Sequence, residues 1–230
     1  MIGLGAALFS LLLGIGIWRF SRIPTETPLP AIEVVPLAGL SGFEVQPAFS
    51  ADGKHVAFVL HAAENSGIYT TMVGGERALH LTSNFGDCCP RWSPDGGEIA
   101  FSRLSDVGLD IYEIPAFGGR EHRLSSWPPE GHQISTGPPW RVDGRSLDWS
   151  PNGKVLAFSD IQADKTHACI ALLSLADSII RPITSPPSQS LDFAPAFSPD
   201  GSKVASFEAL LLVWWRTSMS CPPKVANPNG

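Results

Sequence analysis

Between residues 43 and 208 the chain alternates short apolar runs with tight polar turns, and the alternation repeats. The runs His55-Val56-Ala57-Phe58-Val59, Glu98-Ile99-Ala100-Phe101-Ser102 and Lys154-Val155-Leu156-Ala157-Phe158 are too short for helices. They are rich in the branched and aromatic side chains that suit a pleated surface. Each follows a turn: Phe49-Ser50-Ala51-Asp52-Gly53, Trp92-Ser93-Pro94-Asp95-Gly96 and Trp149-Ser150-Pro151-Asn152-Gly153, with a further copy at Phe197-Ser198-Pro199-Asp200-Gly201. Pro after the serine presets φ for a type I turn, and the glycine accepts the left-handed conformation that follows. Every copy therefore predicts a hairpin.

Third strands are expected at Ile68–Val73, Leu109–Ile114 and Ala168–Leu173, with Gly74-Gly75 and Gly118-Gly119 turning the first two back. Fourth strands end at Leu81-Thr82, Leu124-Ser125 and Ile183-Thr184, which lie 32, 32 and 34 positions after the hairpin aromatic. The aromatics themselves are 43, 57 and 48 positions apart. Four short antiparallel strands repeated at this period predict β-propeller blades. The last copy departs from the pattern: Phe58, Phe101 and Phe158 stand nine positions after their aromatics, but Ser206 takes that place and the ring falls at Phe207. A shift of one residue moves a side chain to the other face of its strand. Leu210–Trp215 is the expected third strand of this copy, and Cys221-Pro222-Pro223 through Gly230 reads as coil.

The repeated aromatic-Ser-Pro-Asp-Gly hairpin, with matching downstream strands, resembles the WD-like repeat of TolB-type propellers over about Phe43 to Glu208. The resemblance implies propellers of six or more blades, so three complete units and part of a fourth point to a fragment of a larger protein. The expected fold is all-β: a partial, open β-propeller of about three and a half four-stranded blades, preceded by one N-terminal transmembrane helix. The division is 1–19 membrane helix, 20–42 Pro-rich linker, 43–208 propeller and 209–230 degenerate tail.

The membrane helix rests on Ile2–Trp18, a run without charge that ends in an interfacial Trp and meets Arg19 and Arg22. A signal peptide is the rival reading, but no basic segment precedes the run. Ala6, Ser10 and Gly14 would line one face of such a helix, a spacing found in helix dimers and also common as lipid-facing filler. Pro24, Pro28, Pro30 and Pro36 mark an extended linker. By the same resemblance, the arrangement is similar to the outer part of one-pass bacterial sensors, which places the propeller in the periplasm or outside the cell.

Composition narrows the chemistry. Charged residues make up 17% of the 230 and the net charge is −6, with no basic cluster for nucleic-acid phosphates. The four cysteines, Cys88, Cys89, Cys169 and Cys221, form neither a disulfide framework nor a zinc spacing. The six histidines show no metal-site pattern. No Gly-x-Ser-x-Gly elbow is present for a serine hydrolase. Asp52, Asp95, Asn152 and Asp200 are expected to form turns rather than do chemistry. Trp127, His132 and Trp140, in the long insert between the second and third units, could form an aromatic rim at a propeller face, and Pro-rich packing explains them equally well.

No residue is therefore assigned to catalysis, cofactor or metal. The expectation is a non-enzymatic, membrane-anchored module that binds a protein or small ligand outside the cytoplasm, with no cofactor and no nucleic acid. The alternative is an accessory propeller separated from a prolyl-oligopeptidase-type serine peptidase. Open blade edges at either end are expected to promote self-association.

Overall fold

A computed structural model of the chain describes residues 39–105, 108–127, 147–161, 168–188, 190–210 and 223–226, with the isolated positions Trp18, Val34 and Leu37. The chain divides into two compact units, 1–34 and 35–230. In the first unit only Trp18 and Val34 are described, so the expected membrane helix and most of the Pro-rich linker lie outside the described residues. Among those residues no helix is long and apolar enough to cross a membrane.

The described residues of the second unit are all-β. Its first blade is β1 (Phe43–Phe49), β2 (His55–His61), β3 (Gly67–Met72) and β4 (Ala78–His80), paired in chain order. The second is β5 (Asp87–Trp92), β6 (Glu98–Ser105), β7 (Gly108–Pro115) and β8 (His122–Trp127). The third is β9 (Leu147–Trp149), β10 (Val155–Ile161), β11 (Ala168–Ser174) and β12 (Ile180–Pro182), again an antiparallel meander. A fourth follows as β13 (Ser190–Phe197), β14 (Val204–Leu210) and β15 (Pro223–Ala226). One parallel bridge, Ala168 with Leu191, joins it to the third blade.

In the fourth blade the third strand differs from the expected one. Leu210 closes β14, residues 211–222 lie outside the described residues, and the strand that pairs with β14 is Pro223–Ala226, within the stretch expected to be coil. Its Pro223 stands at the strand's first position, where a proline is tolerated.

The repeated turns close as their sequence dictates. Gly53, Gly96, Gly153 and Gly201 have φ of 69°, 74°, 71° and 70°, and each donates its N–H to the turn's serine carbonyl. A second device recurs that the turn motif does not announce. The first strands of blades 1, 2 and 4 are bulged, and the residue before their proline, Gln46, Cys89 or Ala194, sits at φ of 54°, 61° or 54°. A non-glycine residue there is strained, and the bulge offsets the strain by redirecting the strand. The Gln46 side chain also accepts the N–H of Cys89 at 2.7 Å, so the bulges of blades 1 and 2 are tied together.

The hairpin aromatics form the seams. Trp92 Nε1 donates to the Ala48 carbonyl at 2.9 Å, and Trp149 Nε1 donates to the Arg91 carbonyl at 3.1 Å. Each indole thus reaches back onto the preceding blade. Beneath the first, Ala57, Val59 and Ile68 of blade 1 pack with Trp92, Ile99 and Phe101 of blade 2. Beneath the second, Ala100 and Ile111 pack with Trp149, Leu156 and Phe158. Blade 4 has Phe197 where blades 2 and 3 carry Trp, and its seam uses the Phe197 N–H, donated to Asp148 Oδ2 at 2.7 Å, with Ala157, Ile170 and Val204 below. In all three seams an alanine eight residues after the hairpin aromatic, Ala57, Ala100 or Ala157, is fully buried under the next blade.

Candidate functional site

The turn carboxylates are committed to their own backbone. Ser50, Ser93 and Ser198 hydroxyls donate to Asp52, Asp95 and Asp200 at 2.6 Å, and the N–H groups of Lys54, Gly97 and Ser202 donate to the same oxygens at 3.0 Å. Asn152 accepts the equivalent pair from Ser150 and Lys154. Hydrogen bonding of the ionised form holds Asp52, Asp95 and Asp200 below the usual carboxylate range, Asp200 at about 2. An aspartate bonded in this way is a structural acceptor and a poor general base.

Blade 2 carries a second polar cluster with a structural task. Arg103 makes paired bonds to Asp87 at 2.6 and 3.0 Å and to Glu121 at 2.6 and 2.7 Å, with its guanidinium 4.4 Å from the Tyr112 ring centre. The guanidinium holds Glu121 below its ordinary value. One cation saturated by two carboxylates and an aromatic face links β5, β6 and the approach to β8 across the blade. Cys88, Cys89 and Cys169 are buried thiols outside any disulfide, and the Cys88 thiol is pushed well up by its contact with Cys89 and by burial. Among the described residues no three His, Cys, Asp or Glu side chains are grouped so as to hold a metal ion. His55 stands edge-on to Phe117, and His80 stacks on Tyr69 at 4.4 Å. Of the insert singled out in the sequence, Trp127 ends β8, while His132 and Trp140 lie outside the described residues.

A concave site does form on blade 4. A pocket of about 280 Å³ is lined by Ala194, Pro195, Ala196, Ala205, Ser206 and Phe207, with Arg91 and Asp148 completing its wall. The slip in the fourth repeat shapes it. Phe58, Phe101 and Phe158 are buried, and Ser206 is buried in their place, while Phe207 is 38% exposed, stacks on Phe193 at 5.9 Å and gives the pocket an aromatic side. Two lining residues have counterparts of known use: Ala196 and Ala205 correspond to Ala48 and Ala57 of blade 1, which pack against Trp92. Burial raises the Asp148 carboxyl, against the lowering effects of the Phe197 N–H and of Arg91. Small apolar walls, one ring and a balanced pair of charges suit an uncharged aromatic or aliphatic group. The sequence signalled this site through the displaced ring, but not as a cavity.

No protein-family model matches the sequence. A TolB homologue of Chlorobium luteolum is 29% identical over 163 residues, covering 70% of this chain and 33% of the relative. YuxL, an uncharacterised peptidase of Bacillus subtilis, is 28% identical over 192 residues, covering 67% of this chain and 28% of the relative. The chain thus spans a third or less of the length of these two proteins. Among solved structures, a TolB of Agrobacterium tumefaciens superposes with a TM-score of 0.62 at 24% identity, over 79% of this chain and 60% of that one. TolB of Acinetobacter baumannii gives 0.55 at 21% identity, over 83% and 44%. Sequence repeat, blade topology and these likenesses agree on the fold: the described residues form β-propeller blades similar to those of TolB, three four-stranded and a fourth with three strands.

Proposed function

We propose that this chain is a non-enzymatic binding module that takes an apolar group of a protein or small ligand into the blade 4 pocket. The observation that carries the reading is that pocket, where an exposed Ala196 and a half-buried Ala205 stand beside the displaced ring of Phe207. The turn aspartates support the same view, since their lone pairs are spent on local N–H and O–H donors. The test uses N-acetyl-phenylalanine amide as the probe and thermal melting as the readout. Saturating probe raises the melting temperature of the wild-type chain and leaves Ala196→Trp, with its pocket filled, unmoved. An equal shift in both proteins, or none in either, defeats the reading. Reproducible hydrolysis of generic ester, peptide or glycoside substrates that vanishes with one Ser or Asp substitution would defeat the non-enzymatic part.

The proposal includes a membrane anchor over 1–19 and an extracytoplasmic propeller, supported by the uncharged run Ile2–Trp18 and the basic residues that follow. Deleting residues 1–20 then moves the protein from the membrane pellet to the soluble fraction. A full chain already soluble after lysis overturns the anchor. A second reading, a propeller that accompanies a peptidase domain, is favoured by the 28% identity to the Bacillus subtilis peptidase over part of its length. Genomic sequence encoding an α/β-hydrolase next to this chain would select that reading over the first.

A further inference from the structure

We infer that Cys88 and Cys89 form a modification site: hydrogen peroxide oxidises the two adjacent thiols to a disulfide at the joint between blades 1 and 2.

Neighbours along a strand point their side chains to opposite faces, so adjacent cysteines in a regular strand do not meet. Their α-carbons are also only about 3.8 Å apart, closer than the roughly 4.4–6.8 Å usual for a disulfide. The ring closes only where the backbone turns both sulfurs to one side. The bulge of β5 is such a place. Its register slips between Cys88 and Arg91, and Cys89 stands at φ of 61°. With that turn the Cys88 and Cys89 side chains come into hydrogen-bonding contact. The bulges of blades 1 and 4 carry Val45-Gln46 and Phe193-Ala194 at the same two places, so among the described residues only blade 2 has the pair.

Ser102 supplies a second observation. It stands opposite Cys88 in register, it is fully buried, and its hydroxyl has no hydrogen-bond partner among the described residues. Residues directly opposite in a sheet share a face, so this O–H lies on the side of the Cys88 sulfur. The contact with Cys89 and burial push the Cys88 thiol well up, and a donor to the anion offsets part of that cost. Cys88 keeps 6% exposure while Cys89 has none. The reagent is therefore one about the size of water, and Cys88 meets it first.

The Cys88 thiolate attacks one peroxide oxygen and the O–O bond breaks, which leaves a sulfenic acid on Cys88 and a hydroxide that takes the thiol's proton to become water. The Cys89 sulfur then attacks the sulfenic sulfur. Its proton leaves with the hydroxyl as a second water, and the S–S bond forms. Two thiols lose two electrons, and one peroxide is reduced to two waters. Adjacent residues enclose almost no loop, so the bond adds little to global stability. Its effect is local: the Cys89 N–H donates to Gln46 Oε1 at 2.7 Å, and a closed ring fixes the bulge that ties blade 2 to blade 1.

The test treats the full chain in detergent micelles with one equivalent of hydrogen peroxide, unfolds it, alkylates the remaining thiols and weighs the tryptic peptide 78–91, which holds both cysteines. The expected peptide is unalkylated and two hydrogens lighter than the dithiol, while Cys169 and Cys221 are alkylated. The same treatment in urea is expected to close the pair about tenfold less, because the bulge that orients the sulfurs is gone. Ser102→Ala is expected to slow closure severalfold. Cys88 and Cys89 both still alkylated after excess peroxide, a sulfinic acid on either, or a bond from either to Cys169 or Cys221 overturns the inference. Equal closure in urea overturns the role of the bulge, and an unchanged rate in Ser102→Ala overturns that of the hydroxyl.

Discussion

At the scale of single residues, the four turns differ in one atom type, and pH separates them. Asp52, Asp95 and Asp200 accept the same two bonds as Asn152, but only the aspartates titrate. Their folded values lie below the ordinary 3.8, Asp200 at about 2. A group depressed in the folded state stabilises above its unfolded pKa, and that contribution is lost as pH falls through the folded value. Wild-type protein therefore loses melting temperature between about pH 4 and pH 2 through these turns. Changing all three aspartates to Asn, the residue blade 3 already uses, flattens that part of the melting-temperature profile; an unchanged slope would place the acid sensitivity elsewhere. The turn chemistry was legible in the sequence because donor, acceptor and glycine lie within five residues. The strained Gln46, Cys89 and Ala194 were not, since their left-handed conformation comes from the bulge around them and none is the glycine or asparagine that would announce it.

At the scale of the strand, position nine after the hairpin aromatic decides what is core. Phe101 is fully buried with Ala57 and Val59 of the neighbouring blade, whereas Phe207, one register place later, is partly exposed. Phe101→Ala is expected to cost about 3–5 kcal/mol in denaturant melts, the range for a buried ring replaced by a cavity. Phe207→Ala is expected to cost under about 1 kcal/mol, as for surface changes, while it weakens pocket binding. Equal costs would mean that the slip in the fourth repeat does not change faces. Strand order, pairing and this change of face followed from period and offset alone. The strand Pro223–Ala226 did not, because a proline-led polar stretch reads as coil and its extended form comes from pairing with β14.

At the scale of the molecule, stability is distributed unevenly among similar parts. In repeat architectures each unit draws on its own interior and on its neighbours. Blade 2 has seams on both sides, the first built on Trp92 and the second on Trp149. Blade 4 meets blade 3 through a smaller group, Ala157, Ile170 and Val204, with Phe197 in place of an indole. Amide hydrogen exchange is therefore expected to be slowest in β6 and β7 and fastest, among the strand interiors, in β13 and β14. The number of units was legible from the period; the inequality between them was not, because it arises where side chains from two repeats meet.

The seams have one more property. In the two built on indole, the acceptor is a main-chain carbonyl, contributed by alanine in one case and arginine in the other. Any amino acid supplies that oxygen, so the receiving side of such a joint is indifferent to its own spelling at that position. A gene that gains or drops a whole unit by unequal recombination brings the new neighbours together across a joint that already fits, and the length of such a protein can drift faster than its sequence.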